Sequence, residues 1–352
     1  MSGNIIHYFA RGNTAKGLYH LLESNLYGIK KIFLLDGGTA SERTNFFNEL
    51  SNQLVDQGKD VELLHCPLDS HVIEGLIAVK EETAVLAKGA APSLSGPNVQ
   101  VLRLSYSPVV PANQREHVKK LKEQAEAARQ NAYTCFQHAL AVHDEWEAIY
   151  IQQLDRKRAN ELSNEWINRL LPTVTRDRKA VIKHRFLGAA TSRGAVDFVQ
   201  NLTEGLANRY FIKGRPGTGK STMLKKIVAA SEERGYDTEV YHCGFDPGSL
   251  DMVIVRELGF AIFDSTAPHE YFPEKPTDQV LDLYREIVAA GTDEKNEASI
   301  KEIAGRYRSW MNQATAHLNE SNRCYQQIEA CSAQARDEKA IKDACEKVLK
   351  SI

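Results

Sequence analysis

The chain has 352 residues, 42% hydrophobic and 26% charged, with 44 Lys and Arg set against 46 Asp and Glu. This is ordinary globular composition, long enough for two domains. A formal net charge of −2 gives no overall attraction to nucleic acid or to an anionic membrane. Six cysteines (Cys66, Cys135, Cys243, Cys324, Cys331, Cys345) show no C-x-x-C spacing, so neither a disulfide framework nor a zinc knuckle is expected. No apolar run approaches the roughly 18 residues that span a bilayer, and the first residues lack a basic-then-apolar leader. A cytoplasmic protein without membrane segments is the expectation.

In chain order, a short strand near His7–Phe9 leads to a glycine-containing turn, Gly37-Gly38-Thr39-Ala40-Ser41-Glu42-Arg43-Thr44. The strand-like run Ala84-Val85-Leu86 then ends in Ala87. Next, Val118, Leu121, Ala125, Ala128, Ala132, Cys135, Ala139, Val142, Trp146 and Ile149 recur at spacings of three and four, the pattern of one long helix with an apolar stripe. A second helix is expected over 158–171, closed by Pro172.

The second half repeats this order. A constant shift of 177 places His7 on His184, Phe9 on Phe186, Thr14 on Thr191, Gly17 on Gly194 and Gly28 on Gly205. The same shift places Gly37 on Gly214, Gly58 on Gly235, His65-Cys66 on His242-Cys243, Asp69 on Asp246 and Ile77 on Ile254. A period this long marks a domain duplication. A strand near His184–Phe186 is expected first, then a helix-like stretch around Gly194–Leu206. A strand and a helix flank the glycine loop, and Gly235 closes the helix. Another strand covers about Thr238–Cys243, a short helix follows Pro247, and Phe260–Asp264 form a buried strand. A helical appendage runs from about Ala298, with Ile300, Ile303, Tyr307, Trp310, Ile328, Cys331, Ala344 and Val348 on its apolar side. Alternating strands and helices predict an α/β fold: two tandem P-loop NTPase-like cores with mainly parallel sheets covered on both faces, each followed by a long helical appendage. The segments are 1–113, 114–176, 177–295 and 296–352. The duplication predicts a pseudo-two-fold arrangement within the chain.

The chemistry lies in the second glycine loop. Gly214-Arg215-Pro216-Gly217-Thr218-Gly219-Lys220-Ser221 matches the phosphate-loop pattern G-x-x-x-x-G-K-S/T, and Thr222 follows it into the helix. Glycines let backbone amides curl around a phosphate chain, and the helix N-terminus favours anions. Lys220 is expected to reach the β- and γ-phosphates of ATP, with Ser221 and Asp264 holding Mg2+. The first copy keeps a hydroxyl in Thr44, opposite Ser221, and departs elsewhere. Glu42 stands opposite Gly219, Arg43 opposite Lys220 and Ala87 opposite Asp264.

The stretch Asn208–Pro268, with the loop, Tyr241-His242-Cys243-Gly244-Phe245-Asp246 and Phe263-Asp264-Ser265-Thr266-Ala267-Pro268-His269, resembles a little-characterised bacterial family of duplicated P-loop ATPases. The resemblance extends over essentially the whole chain. It implies ATP binding and a soluble cytoplasmic protein, and it brings no settled substrate. Relatives keep a glycine- and lysine-containing loop in the first half too, so Glu42 and Arg43 argue against a second working site here.

Three functions remain open at this point. One is Mg-dependent ATP hydrolysis with the first half as a non-catalytic copy. A second is transfer of phosphate to a nucleotide or small molecule, with Asp246 as base or substrate anchor at the end of the intervening strand. A third is ATP sensing without hydrolysis, with the helical arms addressing a protein partner. No N-K-x-D motif appears, which argues against guanine recognition. His242-Cys243 recurs as His65-Cys66 even though the loop chemistry does not, which points to packing. Arg11 or Arg43 is a candidate arginine finger reaching the second loop from the first half.

Overall fold

The computed structural model describes residues 2–104, 110–332 and 338–352. The first half runs through β1 (Ile5–Tyr8), β2 (Arg11–Thr14), β3 (Gly17–His20), α1 (Leu22–Asn25), β4 (Lys31–Asp36), α2 (Ala40–Asp56), β5 (Val61–His65), β6 (Ile73–Ala78), β7 (Thr83–Ala87) and β8 (Val99–Arg103). Two helices follow, α3 (Arg115–Ile151) and α4 (Arg156–Leu170). The second half repeats the series as β9 (Ile182–Phe186), β10 (Gly188–Thr191), β11 (Gly194–Asp197), α5 (Val199–Thr203), β12 (Asn208–Lys213), α6 (Lys220–Glu233), β13 (Thr238–His242), β14 (Leu250–Val255), β15 (Phe260–Asp264) and β16 (Gln279–Asp282). It closes with α7 (Leu283–Ile287), α8 (Thr292–Lys295), α9 (Glu297–Ser332) and α10 (Glu338–Leu349). Among the described residues, no helix is long and apolar enough to cross a membrane.

Two six-stranded sheets result, ordered β1-β5-β6-β7-β4-β8 and β9-β13-β14-β15-β12-β16. The orders are identical once the halves are superimposed in sequence. Neighbours are parallel except around β6 and β14, which run antiparallel to both flanking strands. The short helix expected after Pro247 is therefore a turn into β14. Asp246, Pro247 and Gly248 reverse the chain, and the apolar run Met252–Val255 has the β-branched character of a fully buried strand. The stretch from Gly194 is likewise not one helix. It is β11, paired with β10 in a hairpin, and then the single turn α5.

The long helices of each sheet lie on one face, and only the short α1 and α5 lie on the other. Phe33, Leu35, Leu63 and Val85 of the first sheet pack against Phe46, Phe47 and Leu50 of α2. Tyr210, Ile212, Val253 and Ile262 of the second pack against Leu224 and Ile227 of α6. The other faces form one shared core, in which Ile32, Leu34, Leu64 and Leu86 meet Phe211, Tyr241, Met252 and Phe263. Each half thus supplies the cover that its twin's second face needs. Strands buried on both faces in this way read as continuous apolar runs, which is how they appear in the sequence.

Contacts between the halves are reciprocal, as a pseudo-two-fold axis requires. Ala15 N donates to the Phe245 carbonyl at 3.0 Å, and Ser192 N donates to the Leu68 carbonyl at 2.9 Å. His7 N donates to Asn201 Oδ1 at 2.8 Å, and His184 N donates to Ser24 Oγ at 2.9 Å. On the shared core, Tyr8 and Arg185 hold equivalent positions. The fully buried Arg185 guanidinium lies over the Tyr8 ring and donates to Glu62 Oε1 at 2.7 Å and Asn25 Oδ1 at 2.9 Å, both across the interface. One arginine there serves the carboxylates of both halves, since Glu239 Oε2 lies 3.5 Å away.

The helical appendages exchange partners. Helices α3 and α9 pair along their length, with Ala132, Phe136, Ala314 and Leu318 in one cluster, where small side chains allow close approach. Leu162, Trp166 and Leu170 of α4, which follow the first half, pack on α6 of the second. Ala344, Cys345 and Val348 of α10 pack on α2 of the first.

Candidate functional site

The carboxyl ends of β12, β13 and β15 and the amino end of the antiparallel β14 meet at one edge of the second sheet. The glycine loop leaves β12 there. Gly217 and Gly219 have φ of +73° and +82°, a left-handed conformation that side chains other than glycine rarely adopt. Gly214 leaves room for Thr218, since a Cβ at Gly214 would lie 2.5 Å from Thr218 Oγ1. The buried Thr218 hydroxyl donates to the Arg215 carbonyl at 2.8 Å and closes the loop on itself. Arg215 extends outward, its guanidinium 2.9 Å from Asp293 Oδ2 and over the Tyr284 ring. Pro216 is half-buried in the turn, and Thr222 is exposed on the first turn of α6.

Helix α6 begins at Lys220 with no side chain capping its N-terminus. Its free amides and dipole face the mouth of the loop. Lys220 Nζ lies 3.5 Å from Asp264 Oδ2 and donates to the Arg215 carbonyl at 3.0 Å. Asp264 Oδ1 accepts from Thr266 N at 3.0 Å and Thr266 Oγ1 at 2.6 Å, which fixes the carboxylate with its second oxygen toward the lysine. Ser221 Oγ accepts from Leu250 N at 3.0 Å, which ties the start of α6 to the start of β14.

The structure brings Lys220 and Asp264 together, with Ser221 next to Lys220 on the first turn of α6. It does not bring Asp246 in as a free group. Asp246 Oδ1 accepts from Gly248 N at 3.0 Å and Oδ2 accepts from Ser249 Oγ at 2.7 Å, so this carboxylate holds the turn into β14. The arginine-finger expectation also fails to find support. Arg11 is paired with Glu74, and Arg43 donates to the Gly38 carbonyl at 2.6 Å, both within the first half. His242 sits 2.8 Å from His184, as His65 sits 2.9 Å from His7, so the recurring His-Cys pair belongs to strand packing.

Four residues that the sequence did not reveal complete the edge. Asp251 is buried at the start of β14, and burial together with the Asp264 charge pushes its carboxyl up to about 6. His269, five residues beyond Asp264, is 2.6 Å from Asp197 Oδ2 through Nδ1. Tyr271 OH donates to the other oxygen of Asp197 at 2.6 Å. Burial alone would lower His269, but the Asp197 hydrogen bond and the charges of Asp251, Asp197 and Asp264 raise it. Asp251 escaped notice because the antiparallel course of β14, which brings its first residues to this edge, was not legible.

The first half has no such edge. Helix α2 starts at Ala40, opposite Gly217, so the residues matching the second half's loop form an extra helical turn. Thr39 and Glu42 make a capping box there, with Thr39 N donating to Glu42 Oε2 at 2.8 Å. Ser41 N donates to Glu329 Oε1 of α9 at 3.1 Å. The amides that a phosphate would need are occupied by the protein's own oxygens.

Ser221, Asp264 and Asp251 form an all-oxygen donor set suited to a hard divalent cation. A buried carboxylate with a raised proton affinity, Asp251, near the half-buried Asp264 is an arrangement that such a cation relieves. His143, Asp144 and Glu147 on α3 also gather within 4.8 Å, and the Glu147 backbone lies against Gly217 of the loop. No family profile, curated protein or solved structure matches the chain.

Proposed function

We propose that the second half is a P-loop NTPase core that binds Mg·ATP and hydrolyses it at a single site, with the first half a non-catalytic copy. The resemblance to duplicated P-loop ATPases implies ATP binding and favours hydrolysis over the other two readings. One observation carries the reading: at the uncapped N-terminus of α6, Lys220 and Asp264 stand 3.5 Å apart at the mouth of a loop whose glycines hold left-handed backbone.

In this reading the loop amides from Gly214 to Gly219 and the N-terminus of α6 bind the phosphate chain. Lys220 exchanges its contact with Asp264 for the β- and γ-phosphate oxygens. Ser221 and Asp264, with Asp251 beside them, hold the Mg2+, which when bound neutralises phosphate charge. Fixed positive groups of this kind stabilise the charge that spreads over the transferring phosphoryl oxygens. Asp246 is committed to its turn, so the phosphotransferase reading loses the base assigned to it.

Steady-state turnover of Mg·ATP tests this. Wild-type protein is expected to form ADP and phosphate without an added acceptor. Lys220→Ala is expected to lower kcat by at least about a hundredfold, since preorganised charge is the main catalytic device in such sites. Arg43→Ala is expected to leave turnover within about twofold. Equal losses in the two variants, or ADP formation that requires an added acceptor, would overturn the reading.

A further inference from the structure

The duplication supplies an internal control for which residues of the second-half edge serve folding and which serve chemistry. Groups with a structural task are matched in both halves. Thr14 and Thr191 donate to the Gly17 and Gly194 carbonyls, each at 2.8 Å. The two histidine pairs have the same geometry.

A second set is present in one half only. Opposite Lys220 stands Arg43, opposite Asp264 stands Ala87 and opposite Asp197 stands His20. The first-half loop between β7 and β8, residues 88–98, contains neither histidine nor tyrosine, so His269 and Tyr271 have no counterparts. The Asp197–His269–Tyr271 group is therefore absent from the half that lacks Lys220 and Asp264. A clamp needed only to hold the hairpin β10–β11 against the sheet would be needed equally by β2–β3.

The geometry fits a chemical task. Asp197 accepts from His269 Nδ1–H and from Tyr271 OH, which fixes the ring; among the described residues Nε2 has no hydrogen-bond partner, and with both ring nitrogens protonated it is a second donor. The ring edge packs on the hairpin, with Cε1 3.0 Å from where a Cβ at Gly188 would be. The turn that carries it is tied to Asp264: His269 N donates to the Thr266 carbonyl at 2.9 Å, and Thr266 Oγ1 donates to Asp264 Oδ1 at 2.6 Å.

We propose that His269, oriented by Asp197 and Tyr271, is a catalytic residue of the second-half site that donates a hydrogen bond from Nε2 to the terminal phosphate as water attacks it; this rests on the hydrolytic reading above. In that step the water oxygen bonds to the terminal phosphorus and the bond to the bridging oxygen breaks. ADP leaves with that electron pair, the water proton goes to the released phosphate, and His269 keeps its own. Asp197 and Tyr271 are positioning residues.

The test measures kcat and KM for Mg·ATP together with calorimetric affinity for Mg·ADP, which has no terminal phosphate to contact. His269→Ala is expected to lower kcat by about a hundredfold or more, the effect of losing one preorganised donor, with Mg·ADP affinity within about threefold of wild type. His269→Gln, which keeps a side-chain donor, is expected to recover at least about tenfold of that loss. Asp197→Asn is expected to lower kcat by less than His269→Ala, again without loss of affinity. Wild-type kcat in His269→Ala, or parallel loss of kcat and affinity with no rescue by glutamine, would overturn the proposal while leaving hydrolysis at this site standing. A wild-type protein that binds Mg·ATP without turning it over would overturn the hydrolytic reading, and this proposal with it.

Discussion

Asp251 is an acid kept in the native state at a cost. Its folded pKa of about 6 lies above the roughly 3.9 of an unfolded aspartate. The folded chain therefore retains a proton between about pH 4 and 6 that the unfolded chain has already lost. As pH rises through that window the group turns progressively unfavourable, and above it the penalty is constant. Asp251→Asn removes that penalty. The variant should unfold at higher urea concentration than wild type at pH 8, and the gap should close as pH falls toward 4. A variant less stable than wild type at pH 8 would contradict this account of the site. At this scale the sequence was informative where a motif fixes spacing: the loop leaves β12 into α6, and Lys220 stands 3.5 Å from Asp264. Asp197 and His269 are far apart in the chain and carry no motif. Their only written signal is joint absence from the first half.

The contrast between α2 and α6 shows how few residues separate an open helix terminus from a closed one. Thr39 and Glu42 cap α2 and let it start three residues earlier in register, whereas Gly217 and Gly219 hold the matching segment as a loop. Gly217 also has a tertiary task. A Cβ there would lie 2.6 Å from the Glu147 carbonyl oxygen and 2.9 Å from its Cα, so the α3 backbone sits directly on the loop. Gly217→Val should therefore combine left-handed strain with a clash against main chain, costing about 1–3 kcal/mol and abolishing nucleotide binding. Ala40→Gly, at the equivalent first-half position, should cost no more than about 1 kcal/mol. Chemical denaturation of the two variants checks both values, and equal costs would contradict the assignment of loop and helix. The long helices were legible from their stripes, and so were β12, α6 and β15. The antiparallel β14 was not, because Asp246-Pro247-Gly248 fits a helix start as well as a turn, and only pairing with β13 and β15 decides between them.

The whole molecule is an intramolecular dimer whose halves exchange their helical tails. The sequence revealed the duplication through a constant offset, and the offset carries over to sheet order and to reciprocal contacts. It did not reveal that each appendage packs on the opposite half, because an apolar stripe specifies that it must be covered and not by which core. It also suggested helices on both faces of each sheet, where the twin sheet takes one face. The consequence for function is that the loop from Gly214 to Gly219 is roofed by α3, which follows the other half, while α9 brings Glu329 to the N-terminus of α2. The central claim is the proposal that one of the two related edges binds a nucleotide, while the other is closed by the protein's own side chains. Calorimetric titration of the full chain with Mg·ADP tests it most directly. The account predicts one site per chain, lost in Lys220→Ala and retained in Arg43→Ala. Two comparable sites, or a single site that survives Lys220→Ala and disappears in Arg43→Ala, would contradict it.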